Sequence, residues 1–252
     1  MKRYLQAAVL SFAALGILPH GGAVAEQGNN QPTVVELFTS QSCYSCPPAE
    51  KILGELAQRD DIIALEHHVD YWDSLVYGSA GRWKDIFSSP ESTERQRRYN
   101  NALPGRGYSY TPQMVFDGKS ETVGNRKRAV KSEIKKAQTD IAKRLSVAVA
   151  PLVSGGLSIT VDGEIGQEAG IWLFHYKKEQ AVQPTGGENK GKNLVNHNIV
   201  REVRRVGDWT GEAATVEVAD YKFEDGFSCV VLVQSERLGP VMGAARCPAL
   251  AS

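Results

Sequence analysis

A short apolar segment that leads into a Cys-x-x-Cys pair is the feature that most restricts how this chain can fold. Residues 34–38 read Val-Val-Glu-Leu-Phe, which predicts a buried strand, and Cys43 and Cys46 follow a polar loop. After the cysteines, apolar residues recur at helical spacing along one face: Ala49, Ile52, Leu53, Leu56 and Ala57. Pro47 and Pro48 fit the first turn of such a helix, because proline lacks the N–H that later turns need. The sequence therefore predicts two thiols where a strand passes into a helix.

The spacing of the two cysteines suits redox chemistry. With two residues between them, the sulfurs reach disulfide distance within one turn and can cycle between dithiol and disulfide. The unpaired N–H groups at a helix N-terminus favour the nucleophilic thiolate, so we expect Cys43, at the exposed outer end, to attack. A structural disulfide or half of a zinc site are the alternatives, but no second Cys-x-x-Cys or Cys-x-x-His follows at ligand spacing.

Residues 1–25 have the pattern of an export signal. Lys2 and Arg3 precede an apolar stretch over residues 5–18, and Ala-Val-Ala at 23–25 predicts cleavage before Glu26. The chain has 29 basic and 29 acidic residues, so loss of Lys2 and Arg3 leaves a small acidic excess and no footprint for nucleic acid. All four cysteines follow the signal. We therefore expect a periplasmic or secreted protein without a membrane span after signal removal; its oligomeric state has no signature here.

A second strand is predicted over residues 61–70. A strand, helix and strand in succession normally form a right-handed parallel crossover, which brings the C-terminal ends of both strands to one sheet edge. His68 and Asp70 are then expected beside Cys43. Residues 73 to 108 interrupt the pattern as an insertion, and an apolar strand that begins at Thr111-Pro112 follows.

The order of these elements resembles that of thioredoxin. More narrowly, the chain resembles the secreted thioredoxin-like family catalogued as domain of unknown function 1223. The matching segments are Val35–Gln41 with Cys43–Pro48, His68–Asp73, Arg95-Gln96, Tyr110–Gln113 and Gly187–Asn189.

This resemblance implies a fold and several site residues. Residues 26–145 would form a thioredoxin-like α/β domain with the insertion at about 73–108. Pro112 would be the cis proline that lies against the disulfide. Thioredoxins also hold a buried acid in the first strand that takes the proton of the second thiol, and Glu36 is the only acid in that strand here. Asp70 and His68 compete for this role.

Beyond residue 145 the apolar pattern changes to period two. Seven candidate strands separated by Gly-rich turns predict a β-rich domain over residues 146–252, either an antiparallel sandwich or a sheet packed on the first domain. Residues 177–193 are polar and Gly-rich, which predicts a mobile loop. A hairpin around Leu238 would place Cys229 opposite Cys247, so we expect these two to form a structural disulfide.

Three functions fit these features. The first is an exported thiol-disulfide oxidoreductase, which needs no cofactor and exchanges disulfides with partner proteins that present thiols or disulfides. The second is a copper-handling protein that binds Cu(I) through Cys43, Cys46 and His68. The third is a thioredoxin-like binding module whose disulfide is inert.

Overall fold

The computed structural model describes residues 31–104, 107–139, 144–235 and 237–249. The first half contains β1 (Thr33–Thr39), α1 (Pro47–Ala57), β2 (Ile62–His68), a 3₁₀ turn (Gly78–Ala80), α2 (Pro90–Ala102), β3 (Gln113–Phe116), β4 (Ser120–Val123) and α3 (Lys127–Gln138). The second half contributes β5 (Ser146–Pro151), β6 (Leu157–Asp162), β7 (Ala169–Val182), β8 (Leu194–Trp209), β9 (Ala214–Val218), β10 (Phe227–Gln234) and β11 (Val241–Arg246). The predicted export signal, residues 1–25, lies outside the described residues. Within the described ranges, no helix has the length and apolar character needed to cross a membrane.

The molecule is a mixed α/β fold with one large sheet and few helices. Eight strands form the large sheet in the order β11-β10-β7-β8-β2-β1-β3-β4, and β5-β6-β9 form a small antiparallel sheet. In the large sheet, β1 and β2 are parallel, β3 is antiparallel to β1, and β8 joins β2 in parallel at Glu66 and Ile199.

The predicted boundary between residues 145 and 146 does not divide the large sheet. Four strands of the second half, β7, β8, β10 and β11, continue the sheet that β1 to β4 begin, and only β5, β6 and β9 stand apart. Period-two patterning predicts strands but not their partners, because pairing is set by contacts between residues distant in sequence. Strands from the two halves therefore share one sheet within the described residues.

The second half also contains the disulfide expected from the hairpin geometry. Cys229 and Cys247 are bonded, and the Cys247 N–H donates to the Cys229 carbonyl at 2.9 Å. The pairing of β10 with β11 has the expected register, with Val230 opposite Arg246. The bond lies in the apolar core between the two sheets.

Side-chain alternation along β1 and β2 gives the large sheet two different faces. Val35 and Leu37 pack against α1 and α3, on what we call the α1 face. Val34, Glu36 and Phe38 point to the opposite side, where Tyr99 of α2 packs, and we call this the α2 face. An acid that exchanges a proton with the cysteines must lie on the same face of the sheet as they do.

Candidate functional site

The cysteine pair lies at the start of α1, as expected. Cys43 and Cys46 form a disulfide with a Cα–Cα distance of 5.4 Å, and Cys46 occupies the cap position directly before Pro47. Both cysteines are almost fully buried, with exposures of 1% and 0%, whereas Tyr44 between them is 68% exposed. The expected exposure of Cys43 is therefore wrong for the oxidised protein, and the physical reason lies in the segments packed around it.

One covering segment is the insertion that follows β2. The Asp85 carboxylate accepts a hydrogen bond from the Gln41 N–H at 2.8 Å, and Trp83 Nε1 donates to Gln41 Oε1 at 2.8 Å. Ser42 Oγ donates to the Trp83 carbonyl at 3.3 Å. The insertion thus fixes the two residues that precede Cys43.

The other covering segment is the connection between β7 and β8, residues 183–193, which we call the strap. Asn189 Nδ2 donates to the carbonyls of Gln41 and Cys43, at 3.0 and 2.8 Å. Glu188 Oε2 accepts from the Tyr44 N–H at 2.7 Å. The prediction of a mobile loop over 177–193 is wrong, because residues 177–182 belong to β7 and the strap is hydrogen-bonded to the cysteine turn. Composition alone did not reveal these contacts.

Pro112 has the cis peptide bond that the resemblance implies. The Thr111–Pro112 peptide bond is cis, and Pro112 is buried at the entrance to β3. Its carbonyl accepts from the Gly124 N–H at 2.9 Å, and the next residue, Asn125, donates through Nδ2 to the Ser45 carbonyl at 3.2 Å. The cis peptide is therefore joined to the cysteine turn through a short chain of hydrogen bonds.

His68 lies on the α1 face but is held between two carboxylates. Its Nδ1 is 2.6 Å from Asp85 Oδ2 and its Nε2 is 3.0 Å from Glu66 Oε1. Burial disfavours the imidazolium, but Asp85 and Glu66 outweigh burial and raise the pKa of His68 to about 10. Because both nitrogens of an imidazolium carry protons, His68 has no lone pair for a metal. The Cu(I) ligand set of Cys43, Cys46 and His68 does not fit this arrangement.

Glu50, which the sequence did not single out, is a buried acid on the helix that the cysteines begin. It is 2% exposed, and its Oε1 accepts from Thr39 Oγ1 at 2.7 Å. Burial, followed by repulsion from Glu66, raises the pKa of Glu50 to about 8, so this side chain is protonated at pH 7. It follows Cys46 by one helical turn, which was the available signal. Acids are common in the first turn of a helix because they interact favourably with its dipole, so this spacing alone does not indicate a role in proton transfer.

The raised pKa values of Glu50 and His68 predict how stability depends on pH. A folded state that holds a proton more tightly gains stability, and this gain disappears as the pH rises through the folded pKa. For Glu50 the added stability is complete below about pH 4.3 and is lost as the pH rises to about 8. For His68 the added stability is complete below about pH 6.5 and is lost as the pH rises to about 10. We expect the free energy of unfolding to fall as the pH rises from 6.5 to 8, and to fall less steeply in Glu50→Gln. The measurement is urea denaturation at a series of pH values. A flat or rising curve for the unmodified protein contradicts this assignment.

Glu36 lies on the α2 face, across the sheet from the cysteines. Arg95 binds it through Nε at 2.5 Å and Nη2 at 2.9 Å, the Tyr99 hydroxyl donates to it at 2.5 Å, and His67 Nε2 is 3.0 Å away. Burial opposes its charge, but Arg95 and His67 together outweigh burial and lower the pKa of Glu36 well below its usual range. The expectation that Glu36 serves the second thiol is wrong, because its neighbours Val35 and Leu37 are the residues that face α1.

Asp70 is also outside the site. Its Oδ1 accepts from Thr93 Oγ1 at 2.6 Å, and its N–H donates to the same hydroxyl at 3.0 Å. These bonds fasten the end of β2 to α2. The structure therefore places Cys43, Cys46 and Glu50 together around the start of α1, and Asp85 links His68 to the Gln41 N–H two residues before Cys43.

Comparisons with known proteins agree with the resemblance. The family described as "Protein of unknown function (DUF1223)" matches residues 34–234. The crystal structure of Protein AGR_C_4864 from Agrobacterium tumefaciens is similar, at 29% identity, with 87% of this chain and 96% of that chain covered and a TM-score of 0.72. HBP35 of Porphyromonas gingivalis, at 15% identity, shares the fold over 88% of this chain and 78% of that chain, with a TM-score of 0.55. No curated protein gives a significant match. The family match covers most of the chain, and the protein therefore belongs to the DUF1223 family.

Proposed function

We propose that this protein is an exported thiol-disulfide oxidoreductase whose Cys43–Cys46 pair exchanges disulfides with partner proteins. The observation that carries the proposal is the disulfide itself, which joins a Cys-x-x-Cys pair at the N-terminus of α1. That position favours a thiolate on the cysteine that attacks. Export is proposed because residues 1–25 have the signal pattern, and because both disulfides suit an oxidising compartment.

We include in this proposal that residues 33–138 form a thioredoxin-like unit. Support comes from the strand order β2-β1-β3-β4, in which β1 and β2 are parallel and β3 and β4 are antiparallel to their neighbours. Helices α1 and α3 share one face of these strands, and the cis Pro112 precedes β3. The order of these elements along the chain is also the order on which the sequence resemblance rests.

The exchange reaction balances without a cofactor. When a partner is oxidised, its thiolate attacks Cys43 Sγ, the Cys43–Cys46 bond breaks, and Cys46 leaves as a thiolate. A second partner thiolate then attacks the partner sulfur of the mixed disulfide and releases Cys43. The partner loses two electrons and two protons, and the cysteine pair gains both. The same steps in reverse reduce a partner disulfide.

Glu50 is suited to transfer the proton of Cys46. One helical turn separates the two residues, which places their Cβ atoms about 5–6 Å apart on one face. With its raised pKa, a protonated Glu50 can give its proton to the departing Cys46 thiolate, and as a carboxylate it can take the proton back. A cavity of about 560 Å³ between α1 and β8 is lined by Glu50 and offers a route to solvent.

The test is turnover of the purified protein in both directions. Reduction of insulin and oxidation of a dithiol peptide are measured for the unmodified protein, Cys43→Ser, Cys46→Ser and the control Cys229→Ser/Cys247→Ser. We expect turnover in at least one direction, loss of about 100-fold or more in each Cys-x-x-Cys variant, and retention in the control. Absence of turnover in both directions overturns the proposal. Uptake of Cu(I) without exchange would instead favour a copper-handling protein.

A further inference from the structure

The strap binds the peptide unit between the two residues that begin the cysteine turn. Asn189 Nδ2 donates to the Cys43 carbonyl at 2.8 Å, and Glu188 accepts from the Tyr44 N–H at 2.7 Å. This carbonyl and this N–H belong to one planar peptide unit and point in opposite directions. The strap therefore holds the peptide that follows Cys43 from both sides.

Further contacts fix the strap in this position. Lys192 Nζ is 2.9 Å from Asn189 Oδ1 and lies 4.3 Å from the centre of the Tyr44 ring. Gly187 has a φ of +73°, and a Cβ atom there would approach Ser42 Oγ to 2.8 Å. This polar segment of the second half thus fits closely against the turn in which Cys43 is only 1% exposed.

A closed strap opposes the exchange reaction in two ways. An attacking thiolate must reach Cys43 Sγ in line with the disulfide bond, which a buried cysteine does not permit. The Glu188 carboxylate, bound to the N–H of Tyr44, also places a negative charge one residue after Cys43, on which a thiolate must form, and like charges disfavour each other. Release of the strap removes both obstacles and frees the Tyr44 N–H.

The freed groups indicate which kind of molecule can replace the strap. The Tyr44 N–H loses its acceptor and the Gln41 carbonyl loses its donor, whereas the Cys43 carbonyl keeps the bond from the Cys46 N–H at 3.1 Å and can accept a second one. An extended polypeptide presents both kinds of group along its backbone, so a partner protein can exchange its own hydrogen bonds for those of the strap. A small thiol has few donors and acceptors, so it can replace few of the strap's hydrogen bonds.

We propose that the strap is a gate on the redox site, with Asn189 and Glu188 as positioning residues that hold Cys43 closed. This inference rests on the proposed exchange function. A polypeptide partner opens the gate by taking over the bonds of the strap, whereas small thiols react slowly with the closed protein. The second half of the chain thereby supplies a regulatory part of the site in the first half.

The test is the rate at which the Cys43–Cys46 disulfide of the full protein is reduced by glutathione, with free thiols trapped by alkylation and located by mass spectrometry. Asn189→Ala and Glu188→Gln are compared with Lys190→Ala, a control on the same strap with an exposed side chain. We expect the first two to raise the rate by about tenfold, and the control to stay within about twofold of the unmodified protein.

The outcomes separate the gate from the function. If turnover on insulin or a dithiol peptide occurs but neither Asn189→Ala nor Glu188→Gln accelerates reduction, the gate is overturned and the exchange function stands. If the unmodified protein turns over neither substrate, the exchange function fails and the gate fails with it. Glu188 is exposed, so the Glu188→Gln variant is expected to fold. If Asn189→Ala is unstable, the reduction rate of Glu188→Gln alone decides the test.

Discussion

Glu50→Gln is expected to slow disulfide exchange at Cys43 and Cys46 by about 100-fold near pH 8, because it removes the group that exchanges a proton with Cys46. Glutamine has the shape of the protonated acid but carries no exchangeable carboxyl proton. The measurement is the rate of exchange with a dithiol peptide from pH 5.5 to 9.5. We expect the unmodified protein to show an inflection near pH 8, matching the raised pKa of Glu50, and the variant to lack it.

The surroundings of Glu50 make this variant informative. Glu66, His68 and Asp85 face it from the sheet and the insertion, and His197 of β8 lines the adjacent cavity. Since Glu50 is protonated at pH 7, glutamine preserves the neutral state and should leave the fold intact.

Glu55→Gln is the matched control for Glu50→Gln. Glu55 is on the same helix, but it is exposed and bound to Lys127. An unchanged pH profile in Glu50→Gln, or an equal loss in Glu55→Gln, contradicts the proton-transfer role.

Arg95→Met is expected to lower the free energy of unfolding by about 3–5 kcal/mol, because it leaves the Glu36 carboxylate buried without its partner. Arg95 also donates to Gln234 Oε1 at 2.9 Å, and Gln234 in turn donates to the Tyr99 hydroxyl at 2.8 Å. This network connects β1, α2 and β10, so its loss weakens the contact between the two halves of the chain. The measurement is urea denaturation.

Two further variants control this prediction. Arg97→Met changes an exposed arginine of the same helix and should alter the free energy of unfolding by less than about 0.5 kcal/mol. The double variant Glu36→Leu/Arg95→Met removes both charges and should recover a large part of the loss. If Arg95→Met lowers the free energy of unfolding by less than about 1 kcal/mol, the ion pair of Glu36 and Arg95 does not stabilise the fold as proposed.

Local patterns predicted the elements that carry the chemistry. Alternation along β1, the helical spacing after Cys46 and the Thr-Pro step before β3 each depend on a few neighbouring residues, and each element is present in the structure. The partner of Cys229 also followed from a local hairpin. These features could be predicted because the chain specifies them over short distances.

Long-range contacts account for what the sequence did not reveal. Glu36 falls in the expected strand, but the side of the strand that α1 and α3 cover is set by their packing on Val35 and Leu37, which leaves Glu36 on the other face. The strap is polar and Gly-rich, and its order comes from bonds to residues about 145 positions earlier. The join of β8 to β2 likewise depends on residues more than 130 positions apart. No pattern within a short window contains this information.

The central claim is that Cys43 forms the bond with a partner, and a trapped intermediate tests it most directly. Cys46→Ser, fully reduced and then mixed with insulin, lacks the thiol that would resolve a mixed disulfide. After an acid quench, peptide mapping by mass spectrometry should locate an insulin chain on Cys43, and Cys43→Ser should yield little adduct because Cys46 resolves the mixed disulfide and does not form it. A Cys46→Ser protein that remains unmodified while its Cys43 thiol is free would contradict the account.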